Sequence, residues 1–169
     1  MNQVMVNYVL IECYSDEQFL LSLIPEHKKL IRHGTNKSEI LKRLDHNFES
    51  CIGIIDLDKN FDIAFLQNKF QYQEIAEFFE SNELFHKFYS KAKTDYIFTT
   101  VFNLEQTILT LCQKYHIKLN DFQLPNIEKE LHDLSTPQNS KKFIKLFDYF
   151  KDIPEIKQMA KEMREILSC

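Results

Sequence analysis

An apolar run, Val9-Leu10-Ile11, ends in Glu12-Cys13-Tyr14-Ser15-Asp16, and a second, Ile52-Gly53-Ile54-Ile55, ends in Asp56-Leu57-Asp58. Short, nearly continuous apolar runs are how fully buried parallel strands read. Acids at the carboxyl ends of such strands share one edge of a sheet, the edge where open α/β folds take their ligands. Clustered carboxylates repel one another, and a divalent cation relieves that repulsion. The pattern points to Mg2+, or Mn2+ in its place, held by Asp56, Asp58 and Glu12, and to phosphoryl chemistry. Glu12 is also the candidate general acid or base. Asp16 has two candidate roles: a supporting acid behind the metal ligands, or an acid favoured by the dipole in the first turn of a helix.

These residues need a frame to bring them together. Asn7 to Glu12 reads as a buried strand, and Ser15 with Gln18 reads as the start of a capped helix through Phe19, Leu20, Leu23 and Ile24, closed by Pro25. Lys29 to Arg32 is a short second strand. Gly34-Thr35-Asn36 turns the chain, and Asn36 caps a helix carrying Ile40, Leu41 and Leu44. Cys51 to Asp56 is the third strand. The order β-α-β-α-β implies right-handed crossovers and a parallel sheet. Lys59 to Phe70 reads as a loop, Gln73 to Phe88 as a Phe-dense helix, Tyr96 to Phe102 as a fourth strand and Leu104 to Tyr115 as a helix. Beyond Pro125 the pattern is helical, with segments near 126–134, 140–151 and 154–167. The expected fold is α/β: a Rossmann-like, mostly parallel sheet of about four strands flanked by helices, with an α-helical C-terminal tail.

Composition bounds the reading. The chain has 169 residues, 44% of them hydrophobic, with 15 Phe, seven Tyr and no Trp, which suits one well-filled core. Only Gly34 and Gly53 are glycines, which excludes a Walker loop or a Gly-rich dinucleotide loop. Net charge is −4, but from His27 to Arg43 six basic residues face one acid, Glu39. Arg32, Lys37, Lys42 and Arg43 in that stretch, together with Lys59, are candidates for phosphate or nucleic-acid binding. Cys13, Cys51, Cys112 and Cys169 show no metal-pair spacing, so reduced thiols and a cytoplasmic setting are expected, with Cys13 and Cys51 small buried strand residues. No signal peptide and no membrane-spanning stretch is visible.

Glu12-Cys13-Tyr14-Ser15-Asp16 followed by Ile54-Ile55-Asp56-Leu57-Asp58 resembles the Toprim domain. That domain is shared by type IA and type II topoisomerases, bacterial primases, OLD-family nucleases and small ribosomal RNA maturases. Its pattern is a strand ending in Glu, often Glu-Gly-x-x-Asp, and a later strand ending in Asp-x-Asp. The resemblance implies that Glu12 is the general acid or base and that Asp56 and Asp58 bind magnesium. Asp16 matches the acid that follows the Glu in many members. Gly34-Thr35-Asn36-Lys37 and Asn103-Leu104-Glu105 are similar to turns of OLD-like and abortive-infection-type members, which makes Glu105 a further candidate acid. Cys13 stands where the family usually has Gly, a departure that restricts backbone approach. The resemblance covers about residues 5–116 and implies a Toprim-like domain over 1–118, with 119–169 a helical extension packed on it.

The function implied is a magnesium-dependent nuclease acting on DNA or RNA, in bacterial defence or RNA processing. A second reading is a catalytically silent Toprim-like module that works with a partner protein such as an ATPase. Ile156, Met159, Met163, Ile166 and Leu167 in the tail fit either internal packing, the plainer reading, or a partner surface. A third is a phosphate-handling enzyme on small molecules, such as a phosphatase or receiver-type acceptor; the Asp pair resembles that of haloacid-dehalogenase-type phosphatases, but Asn60 occupies the place of their Thr or Val.

Overall fold

The computed structural model describes residues 8–46, 51–57, 63–75, 82, 84–90 and 95–167. Asp58, Lys59, Asn60 and Cys169 lie outside the described residues. Six strands are described: β1 (Tyr8–Ile11), β2 (Ile31–His33), β3 (Cys51–Asp56), β4 (Gln73–Glu74), β5 (Phe85–Ser90) and β6 (Asp95–Thr100). They form one sheet in the order β2-β1-β3-β6-β5-β4. β2, β1, β3 and β6 are mutually parallel, while β5 runs antiparallel to both β6 and β4. The fold is α/β with a mostly parallel sheet, two antiparallel-paired strands wider than expected.

Strand periodicity sorts the core onto two faces. Val9, Ile11, Ile52, Ile54 and Phe98 face one cluster, and Leu10, Cys51, Ile55 and Ile97 face the other. The second cluster is closed by α2 (Lys37–His46) and α3 (Ile63–Phe70) through Ile40, Leu41, Leu44 and Leu66. The first is closed by α1 (Tyr14–Leu23), α4 (Leu104–Lys114) and three later helices, α5 (Glu128–Asp133), α6 (Ser140–Phe150) and α7 (Pro154–Leu167). The helical tail therefore shares a core with the sheet. Phe19 of α1 meets Phe147 of α6 edge to face, with ring centroids 5.2 Å apart. Ile156, Met159, Met163 and Ile166 are all buried, so that stripe is internal packing.

Several local expectations change. Lys29 and Leu30 belong to a 3-10 turn, Pro25–Leu30, and the second strand begins at Ile31. Ile63–Phe70 is a short helix where a loop was expected: Leu66 is buried, and Ile63 and Phe70 pack beside it on the second cluster. Within Gln73–Phe88 the described residues hold β4 and the start of β5 rather than a helix. Phe85 and Phe88 sit in opposite clusters, and a strand buried on both faces has no alternation to betray it. Helix α1 is capped from Cys13, not Ser15: the Cys13 N–H donates to Asp16 Oδ2 at 3.0 Å. Cys13 is exposed rather than buried, while Cys51 is fully buried. Cys13, Cys51 and Cys112 form no disulfide. Among the described residues, no helix is long and apolar enough to cross a membrane.

Candidate functional site

Because β1, β2, β3 and β6 run the same way, their carboxyl ends line one edge of the sheet. That edge carries Glu12 after β1, His33 at the end of β2, Asp56 at the end of β3 and Thr100 at the end of β6. In the register of the central pair, Asp56 lies directly opposite Thr100. The chain leaves three of these strands into helices α1, α2 and α4. The helix amino termini therefore follow the same edge, with their positive dipole ends. Asp16, Lys37 and Glu105 are first-turn residues of those three helices.

The contacts among these residues are specific. The Asp56 N–H donates to Glu12 Oε1 at 3.2 Å, which joins the two acidic motifs directly. The Thr100 hydroxyl donates to Asp56 Oδ1 at 2.9 Å and is also in contact with the Phe102 carbonyl. Asp16 is buried under the turn, its Oδ2 accepting the Cys13 N–H. It thus holds the cap and also faces the other acids. Glu105 is buried as well, and its Oε1 meets His132 Nδ1 of α5 at 3.2 Å. At the rim, His33 Nε2 pairs with Glu17 Oε2 at 2.9 Å.

Electrostatics shows that the acids form one group. Burial, together with the charges of Asp56 and Glu12, pushes Asp16 up to about 8. Burial also pushes Asp56 up to about 6, and the negative charge of Glu105 acts in the same direction. The Thr100 hydroxyl, the Leu104 backbone and the Lys37 ammonium oppose that rise. Acids from β1, α1, β3 and α4 therefore feel one another across a single sheet edge.

The basic candidates divide. Lys37 is within electrostatic reach of Asp56. Arg32 turns its guanidinium back to the Lys29 and Ile31 carbonyls and stacks near the Tyr8 ring, 5.8 Å from its centroid. Arg43 is paired with Glu39 on the same helix at 2.7 Å, and Lys42 is exposed on α2. Lys59 and Asp58 lie outside the described residues. Thr100 and His132 were missed by sequence reasoning. Thr100 had a signal, as the last residue of a β-branched strand end. His132 had none, since it reaches the site from another part of the chain.

Cys13 has an extended backbone, with φ −136° and ψ 175°, a conformation open to any residue. A glycine's freedom is therefore not required at this position. Gly34 and Gly53 are needed for space. A Cβ on Gly34 would stand 2.7 Å from Ile40 Cγ1, and one on Gly53 would stand 2.9 Å from Leu44 Cδ1. Both glycines let α2 lie close to the sheet beside the acidic edge.

A divalent cation suits this donor set in its chemistry: burial, and then neighbouring acids, raise the proton affinities of Asp16 and Asp56, and a cation would offset both. Among the described residues, no three His, Cys, Asp or Glu side chains stand together as a ready-made ligand shell. Magnesium asks for less, one or two carboxylates with water and phosphate oxygens completing the octahedron. Asp56 and Glu12, already linked through the Asp56 N–H, are the described side chains that fit that demand. No family model matches the chain, and no curated protein or solved structure matches it either.

Proposed function

We propose that this chain is a Toprim-like nuclease that cleaves phosphodiester bonds of DNA or RNA with Mg2+ or Mn2+, in a cytoplasmic role in bacterial defence or RNA processing. The observation that carries the reading is the meeting of Glu12 and Asp56 at the carboxyl ends of adjacent parallel strands, joined by the Asp56 N–H at 3.2 Å. The buried acids Asp16 and Glu105 reinforce it.

Asp56, with Asp58 and Glu12, would hold the cation, which supplies charge neutralisation at a phosphorus and a more acidic water. Thr100 fixes the Asp56 carboxylate through its hydroxyl. Glu12 is the group to move a proton, because its carboxylate is fixed by the Asp56 N–H beside the metal ligand. Lys37, at the start of α2, adds positive charge and helix N–H groups on the side from which a phosphate would approach. Asp16 stays protonated near neutrality and braces the β1–α1 turn.

The test is a metal-dependent cleavage screen over single- and double-stranded DNA and RNA, with Asp56→Ala as control. The expected outcome is cleavage with Mg2+ or Mn2+ that is lost in Asp56→Ala and in Glu12→Ala, with both variants melting as cooperatively as wild type. Wild-type protein inert on all four substrates with either metal would reject the reading.

A further inference from the structure

Helix α5 is distant in sequence from the strands of the acidic edge, yet two of its side chains reach the turn after β6. Asn103 caps α4 through its Oδ1, which accepts the Gln106 N–H at 2.8 Å, and its Nδ2 donates to Glu128 of α5. On the same helix, His132 Nδ1 stands 3.2 Å from Glu105 Oε1. A carboxylate oxygen only accepts, so the imidazole hydrogen sits on Nδ1. Glu105 is 5% exposed, and its negative charge acts on Asp56. The His132 side chain is 74% exposed. It fills no core, and its imidazole meets the buried acid that faces the site.

We propose that His132 is a positioning residue of the acidic site. It fixes the Glu105 carboxylate on the Asp56 side, so that α5 of the helical tail supports the acids that would hold the metal. The inference rests on the metal-dependent reading given above. Carboxylates around a bound cation are commonly held by hydrogen bonds from neighbouring groups, and losing such a partner costs about 10–100-fold in metal affinity or activity. An imidazole that merely decorated the surface would leave metal affinity unchanged.

The experiment measures Mn2+ affinity by titration calorimetry, with thermal melts, on the full chain as wild type, Asp56→Ala, His132→Phe and His132→Asn. Asn keeps an N–H donor near the place of Nδ1, whereas Phe keeps the ring and loses the donor. His132→Phe is expected to weaken Mn2+ binding about 10–100-fold. His132→Asn should recover most of that loss, and both should melt with wild type. Unchanged affinity in His132→Phe, while Asp56→Ala has lost binding, overturns the role of His132 alone. A loss in His132→Asn as deep as that in His132→Phe also overturns it. Wild type that binds Mn2+ no better than Asp56→Ala removes the metal reading itself, and this inference with it.

Discussion

At the residue scale, the site is a set of acids that share one another's charge. Asp16 is the most perturbed of them, raised from 3.8 to about 8 by burial and by Asp56 and Glu12. An acid with a raised folded pKa binds its proton more tightly when folded than when unfolded. The stability linked to that proton is complete below 3.8 and is lost as pH rises through about 8. Metal-free protein should therefore lose melting temperature between pH 4 and pH 8. Asp16→Asn keeps an oxygen to accept the Cys13 N–H and removes the charge. It should flatten that decline and melt higher than wild type at pH 8. An undiminished slope in thermal scans of the variant would show that Asp16 carries none of the repulsion. Thr100 acts in the other direction, since its hydroxyl favours the ionised Asp56. Thr100→Val should raise the Asp56 pKa, so the acid limb of the proposed metal-dependent cleavage should move to higher pH. A pH–rate profile of the variant that overlays wild type would remove Thr100 from the site.

At the element scale, the parallel frame was legible because each of its strands is bounded by an acid or a turn. Cys51–Asp56 matches its expected bounds, and α7 runs from Pro154 to Leu167 as its apolar spacing predicts. The failures have physical causes. Strand β5 is almost wholly buried, so Phe85 and Phe88 carry no alternation to separate strand from helix. Helix α3 has an apolar stripe, Ile63, Leu66 and Phe70, but it is a short helix, and a stripe of three residues is hard to tell from scattered apolar positions in a loop. The α1 cap was misplaced because Asp16, read for its charge, is also the acceptor for the turn. Of the site, Glu12, Asp56, Asp16 and Glu105 were legible as acids at element ends. The Thr100 and His132 contacts depend on pairings across the sheet and from the tail, which local spacing does not encode. The close seat of α2 on β3 gives an element-scale prediction. Gly53 leaves room for Leu44 and Ile40, and a branched side chain there must push α2 away from the sheet. Gly53→Val should cost about 1–3 kcal/mol in urea unfolding. Gly53→Ala should cost less, because the nearest atom is the tip of the Leu44 side chain. A Val variant as stable as wild type would mean that α2 is not held at this separation.

At the scale of the whole molecule, the tail is part of the core. Phe143, Leu146, Phe147 and Phe150 of α6 and Ile156, Met159 and Met163 of α7 are buried in the same cluster as Val9, Ile52 and Phe98 of the sheet. Polar ties reinforce the junction. Glu155 receives Lys114 and the Tyr115 hydroxyl, each at 2.6 Å, from the end of α4. The Asn82 side chain donates to the Glu155 carbonyl at 2.9 Å. Arg164 bonds Glu26 and the Leu23 carbonyl, which fixes α7 against the end of α1. Removing the tail would uncover the side chains that α1 and α4 bury against it, among them Phe19, Leu20 and Leu23 of α1, and open the cluster they share with the sheet. A chain ending at residue 118 should therefore give no cooperative thermal transition and should expose surface that binds a hydrophobic dye. The single substitution Phe147→Ala isolates the same junction without shortening the chain. It deletes a fully buried ring that packs on Phe19, Phe143 and Phe150 and should cost about 3–5 kcal/mol in urea unfolding. A cooperative, wild-type-like melt from the shortened chain, or a cost below about 1 kcal/mol for Phe147→Ala, would mean that the sheet and α1 close their core without the tail.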